Sequence, residues 1–185
     1  GLEHTALVKT DKEGNLIWER QFEGYFYSVG YSVAQTRDGG FIIAGISKTT
    51  MQSNDKIYVI KTDANGNREW DRHLDLAEQG YSNTKRQAYS IKETDDGYII
   101  AGSVIYGGTS DALVIKINPD GIVTWAQTFG RMGWDCFYDI ELVSDGYIAA
   151  GYTEDPNKLE YIVKIGNYGE FIWDYKGIES ESQVK

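Results

Sequence analysis

The chain has 185 residues, with 21 glycines and 14 tyrosines against only 2 prolines and 2 methionines. This is a strand-and-turn composition, and with no Leu/Ala/Glu/Lys-rich stretch of helical periodicity it excludes a helical fold. A net charge of −10 argues against nucleic-acid or anionic-membrane partners, because phosphate binding draws on clustered Lys and Arg. Apolar runs of a few residues exclude helical insertion into a membrane, no cleavable signal peptide is legible at Gly1-Leu2-Glu3-His4, and a single cysteine, Cys136, excludes an intramolecular disulfide.

In chain order, a first strand (type a) is predicted over Ala6 to Thr10. It leads through an Asp/Gly turn into a second (type b) centred on Trp18, then a third (type c) marked by Tyr31-Ser32-Val33. After another Asp-Gly turn comes a fourth (type d), Phe41-Ile42-Ile43-Ala44-Gly45. The same series returns. Type a recurs at Ile57 to Thr62, Ala112 to Ile117 and Tyr161 to Ile165; type b is centred on Trp70, Trp125 and Trp173. Type c recurs at Tyr89-Ser90-Ile91 and Tyr138-Asp139-Ile140, and type d at Tyr98 to Gly102 and Tyr147 to Gly151. The a–b and c–d connections carry hairpin chemistry, since Gly tolerates the positive φ of tight turns.

The tryptophans Trp18, Trp70, Trp125 and Trp173 lie 52, 55 and 48 residues apart. A period near 50 filled with short apolar runs predicts an all-β fold, a β-propeller built of four-stranded antiparallel blades or another repeat array. Residues 1–185 read as one repeat region, with units near 6–55, 56–110, 111–159 and a partial 160–176, and a tail at 177–185. Types a and b occur four times, c and d three. The expectation is about three and a half repeats, part of a larger ring or an open array, with further blades of the same or another chain as a partner. Type d is apolar at successive positions, so both its faces should be covered, and its Ala-Gly ending would let backbones crowd near a propeller axis. The recurring Trp reads as core packing between blades.

The run Tyr98-Ile99-Ile100-Ala101-Gly102, then Val114-Ile115-Lys116-Ile117-Asn118-Pro119-Asp120-Gly121, then Trp125 resembles the Kelch unit. It also resembles a broad group of uncharacterised bacterial and archaeal propeller repeats of the form IKTDxxGNxxW…DGGYIIAG, a likeness that covers nearly all of residues 6–175. The resemblance implies a propeller fold and a place at the cell surface or outside the cell. Kelch blades carry a Gly-Gly doublet where this chain has single glycines, Gly45, Gly102 and Gly151, and no catalytic residue is carried over.

Catalytic motifs are scarce. His4 and His73 are the only histidines, with no second His or Cys at metal-ligand spacing, so neither a metal nor a cofactor is expected. Cys136 reads as a small apolar filler. Asp38, Asp96 and Asp145 fall at repeated turns and serve the turn itself. Asp63-Ala64-Asn65-Gly66-Asn67 has a calcium-loop flavour but reads as a plain hairpin turn, lacking the later Glu of an EF-hand.

The a–b and c–d turns are short and repetitive, whereas the b–c and d–a loops are long and differ in every unit, so the latter form the expected binding face. Candidate binding residues there are Tyr25, Tyr27, Tyr81, Arg86, Tyr106, Arg131, Trp134 and Asp135. Aromatics beside charges suit a protein hot spot or a sugar-stacking site. The expected function is a non-enzymatic scaffold binding a protein or glycan. The alternatives are a propeller-type glycan hydrolase drawing its acids from Asp75, Asp111 and Asp135, and a purely structural spacer of a larger surface protein.

Overall fold

The computed structural model describes residues 3–74, 76–77, 80–81, 84–130, 133–154 and 159–177. They form fourteen strands: β1 (Thr5–Thr10), β2 (Leu16–Phe22), β3 (Tyr27–Gln35), β4 (Phe41–Lys48), β5 (Lys56–Thr62), β6 (Arg68–His73), β7 (Lys85–Thr94), β8 (Gly97–Tyr106), β9 (Thr109–Ile117), β10 (Val123–Phe129), β11 (Cys136–Val143), β12 (Gly146–Thr153), β13 (Leu159–Ile165) and β14 (Phe171–Lys176). Every predicted strand lies inside one of these. No helix among the described residues is long and apolar enough to cross a membrane.

The strands group into one two-stranded and three four-stranded antiparallel sheets: β1–β2 (sheet 1), β3–β6 (sheet 2), β7–β10 (sheet 3) and β11–β14 (sheet 4). Each full sheet is a meander in the order c, d, a, b, so a sheet takes c and d from one sequence repeat and a and b from the next. Sheet 1 consists of an a–b pair alone. The sheets stack face to face in chain order and do not close on themselves among the described residues.

The core is split into layers between successive sheets. Leu7, Phe22, Ile43, Tyr58 and Ile60 fill the layer between sheets 1 and 2. Ile42, Ala44, Ile57 and Val59 meet Ala88, Ile91, Ile100 and Ile115 between sheets 2 and 3. Ile99, Ala101 and Val114 meet Phe137, Ile140 and Ala149 between sheets 3 and 4. The unbroken apolar runs of type d follow from this arrangement. Side chains alternate across a strand, so Ile42 and Ile43, or Ile99 and Ile100, supply two different layers from one strand. Full burial of each such side chain is worth about 1.5–3 kcal/mol.

Successive sheets are joined by the same devices each time. The ring of Trp18 meets Phe41 edge-on at 5.8 Å, Trp70 meets Tyr98 at 6.2 Å, and Trp125 leans on Tyr147 at 6.3 Å. Trp18, Trp70 and Trp125 therefore each pack on the first aromatic of the next sheet's d strand, as the sequence reading expects; Trp173 departs from that expectation and is 44% exposed on sheet 4, because no further sheet lies against it among the described residues. Beneath each of these three Trp rings lies the turn glycine of the next sheet. A Cβ on Gly66 would stand 2.8 Å from the Trp18 ring, on Gly121 2.9 Å from Trp70, and on Gly169 3.0 Å from Trp125. A backbone bond completes the seam: Ser28 N donates to Glu3 O at 3.0 Å, Arg86 N to Asp55 O at 3.0 Å, and Asp135 N to Ser110 O at 2.8 Å.

The expectation that the d-strand Ala-Gly ending admits backbone crowding at an axis is corrected by the register. Gly45, Gly102 and Gly151 pair with Gly30, Ala88 and Phe137 of their own sheets, and the next c residue, Tyr31, Tyr89 or Tyr138, is the extra residue of a β-bulge. A Cβ on the d-strand glycine would overlap the carbonyl oxygen of Val29, Gln87 or Cys136 across the ladder. The glycine makes room for a bulge within its own sheet.

Candidate functional site

In a c-d-a-b meander the a–b and c–d turns share one end and the b–c and d–a loops the other. At the first end the repeated polar residues are consumed by structure. Asp63 Oδ1 accepts the N–H groups of Asn65 and Asn67 at 2.8 Å each, and its Oδ2 accepts the Asn67 amide. Asp11 and Asn118 hold their turns in the same way. Asp63-Ala64-Asn65-Gly66-Asn67 is thus a hairpin turn whose carboxylate is occupied by its own donors, and no cluster of three metal-ligating side chains exists among the described residues.

The c–d turn acids do more than hold their turns. Lys61 Nζ, with 5% of its side chain exposed, donates to Asp38 Oδ2 at 2.7 Å and to Glu69 Oε2 at 2.9 Å. Lys116 pairs with Asp96 at 2.7 Å, and Lys164 pairs with Asp145. The hydrogen bond from Lys61, followed by those from Thr36 and Gly40, brings the Asp38 carboxyl down to about 2. The lysine at constant register in Lys9, Lys61, Lys116 and Lys164 was the sequence signal for this pairing.

The other end carries the predicted candidates, and packing sorts them. Tyr25 is partly buried against the layer between sheets 1 and 2: its ring lies 4.9 Å from Tyr58 and 4.4 Å from His73, and its hydroxyl donates to Asp71 at 3.3 Å. Burial and then the Asp71 charge raise its pKa. Tyr27 is partly buried and raised by burial, then by Glu3. Tyr81 packs against the layer between sheets 2 and 3, its oxygen 3.0 Å from Thr128 Oγ1.

Arg86 and Asp135 do not face a ligand from solvent. Arg86 is buried and pins the b–c connection, donating to Thr84 Oγ1 at 3.1 Å, to the Leu74 carbonyl at 3.2 Å and to the Tyr81 carbonyl. Asp135 is fully buried at the seam between sheets 3 and 4. Arg131 and Asp75 lie outside the described residues. Of the acids considered for hydrolysis, Asp135 is enclosed, while Asp111 is partly exposed and accepts the Tyr106 hydroxyl.

Tyr106 and Trp134 remain on the surface, 42% and 40% exposed. Both are tied to the β8–β9 hairpin. Tyr106 pairs with Thr109 across the Gly107-Gly108 turn, and Trp134 bridges to Ser110, whose N–H donates to Gly133 O at 3.2 Å. The hydrogen bond to Asp111, more than burial, pushes the Tyr106 phenol up to about 12. Two partly exposed aromatics therefore flank one hairpin, Tyr106 held through its hydroxyl and Trp134 through its backbone.

A second aromatic feature escaped the sequence reading. The bulge tyrosines Tyr31, Tyr89 and Tyr138 form a continuous row across sheets 2, 3 and 4, with ring centroids 5.6 and 5.3 Å apart, and Tyr152 extends it at 5.8 Å. The c strands that carry them are neighbours, linked by Ser90 Oγ to Asp139 at 2.7 Å and by Lys92 to Glu141. The constant register of Tyr in c opposite Gly in d was the available signal. Beneath the row, burial lifts the Cys136 thiol to about 12, which suits a filler and opposes thiolate chemistry.

No family model matches the chain. It is similar to an uncharacterised protein of Aquifex aeolicus (strain VF5), 25% identical over 146 residues, which is 79% of this chain and 37% of that protein. The chain thus spans little more than a third of the length of the curated relative it matches.

Proposed function

We propose that this chain is part of a non-enzymatic β-propeller scaffold, of the Kelch-like repeat kind its sequence resembles, that binds a protein or glycan through the end bearing the b–c and d–a loops. The propeller reading is supported by face-to-face stacking of four-stranded meanders with neighbouring c strands. The observation that carries the binding reading is the pair Tyr106 and Trp134, exposed yet anchored by side-chain and backbone bonds to one hairpin. Rigid amphipathic rings lose little entropy on binding, and they suit sugar stacking or a protein hot spot.

The test is binding of the fluorescently labelled chain to an array of immobilised glycans, with Tyr106→Ala and Trp134→Ala alongside. At least about a tenfold loss of signal is expected for each variant, with an unchanged melting temperature. Binding that survives both substitutions would refute this placement of the site, and an array on which nothing binds would remove the glycan half of the reading.

A further inference from the structure

Sheet 1 sits against sheet 2 as every other sheet sits against the next. It makes the same Trp contact, through Trp18 and Phe41, and the same seam bond, from Ser28 N to Glu3 O. It is held as a full sheet would be, yet among the described residues it has only its a and b strands. Strands β5, β9 and β13 are paired on both sides; their counterpart β1 pairs with β2 alone.

The side chains around that bare edge differ from their counterparts in one direction. Val33 of β3 is 55% exposed, whereas Ile91 and Ile140 are 0% and 1%, because the d strand of the preceding sheet covers them. Between β1 and β3 runs a groove of about 120 Å³ lined by Ala6, Leu7, Gly30, Tyr31, Val33 and Ile43, among others. Lys9 shows the same lack in its electrostatics. Lys61, Lys116 and Lys164 each meet the Asp of a c–d turn. Lys9 has no paired carboxylate among the described residues, and its Nζ lies instead over the Trp18 and Phe41 rings at 5.9 and 5.6 Å.

We infer that the free edge of β1 and the groove beside it are a docking site for a c–d hairpin supplied by a further repeat of the same protein. The four-fold repetition specifies the occupant. Its second strand pairs antiparallel with β1 through backbone hydrogen bonds. That strand is apolar at successive positions, so that one of its faces covers Val33 and fills the groove. Its turn carries an Asp that reaches Lys9 Nζ. The relative from Aquifex aeolicus, of which this chain covers 37%, has length for further repeats of this kind. The inference holds whatever the loop end binds.

The experiment uses a synthetic peptide of residues 85–106, the c–d hairpin of sheet 3, titrated into the intact chain while amide exchange is followed across β1. Saturable slowing of the outward amides between Ala6 and Thr10, by about a hundredfold, is expected. It should weaken several-fold with an Asp96→Asn peptide or a Lys9→Met chain. Because a free hairpin can fail to fold, the second arm joins residues 85–111 directly ahead of Thr5, which reproduces the natural d–a connection since Ala112 and Thr5 share a register. In that fusion β1 should be protected without added peptide and the melting temperature should rise. Unchanged β1 exchange in a folded fusion would overturn the inference. So would β1 protection in the unaltered chain that rises with its own concentration, since a second copy would then be the occupant.

Discussion

Lys61 Nζ and Asp38 Oδ2 lie 2.7 Å apart, the lysine almost wholly enclosed and the aspartate half open to water. Burial by itself would lower the lysine pKa, but the bonds from Asp38 and Glu69 outweigh it and the net shift is upward. The pair joins strand a to the c–d turn of one sheet. Because the two partners differ so much in exposure, their removal has unequal consequences.

Asp38→Asn leaves a buried ammonium with a weaker partner and should cost about 1–2 kcal/mol, less than a fully buried pair because the carboxylate is half solvated. Lys61→Met replaces the charge with an apolar chain of similar volume and should stay within about 1 kcal/mol of the parent. Urea unfolding of the two variants measures the difference. The reverse order would show that the lysine, not the acid, carries the pair.

The same carboxyl sets an acid limit. Its folded pKa is depressed to about 2 from an ordinary value of 3.8, so the stability it contributes is complete above pH 3.8 and is lost as pH falls toward 2. Asp96 and Asp145 are shifted in the same direction by Lys116 and Lys164. The parent should lose stability steeply across this window, and Asp38→Asn should show a shallower loss in the same urea titrations run from pH 5 to 2.

Four a–b turn glycines have positive φ, Gly14 at 88°, Gly66 at 78°, Gly121 at 79° and Gly169 at 88°, yet they do not share one environment. Gly66 lies under Trp18, whereas around Gly14 a Cβ would meet nothing within 4 Å. Gly14→Ala should therefore cost only the backbone term, about 1 kcal/mol. Gly66→Ala adds a clash with the Trp18 ring and should cost about 2–3 kcal/mol. Equal losses in chemical denaturation would mean that the Trp–Gly contact does not hold the sheets together.

Cys136 provides a check on the layer beneath the tyrosine row. A thiol raised to about 12 by burial is neither ionised nor reachable at pH 8. Ellman's reagent should leave the native chain unmodified and titrate one thiol per chain in 6 M guanidinium chloride. Rapid native labelling would place the sulfur at the surface and contradict the packing of β11 on sheet 3.

The sequence also leaves one asymmetry that the structure makes concrete. Trp173 is exposed, with no further aromatic or glycine to receive it among the described residues, while Gly14 has room where Gly66, Gly121 and Gly169 each carry a Trp. The two halves of the recurring contact stand unmatched at opposite ends of the stack.

What the sequence determined by itself is local and periodic. The strands were legible because turn glycines, Asp-Gly pairs and apolar runs act over a few residues, and the repeats were legible because each unit faces the same kind of neighbour and so keeps the same residues. The packing role of Trp18, Trp70 and Trp125 followed from their constant register. Only the tertiary structure decided which strands share a sheet, since c, d, a and b come from two successive repeats. It alone decided that Asp38 holds Lys61, that Arg86 and Asp135 are enclosed and Tyr25 packed against the core while Tyr106 and Trp134 face water, and that the c-strand tyrosines form one row. Burial and pairing depend on what lies across a seam, from residues dozens of positions away, and no local pattern records which neighbour arrives there.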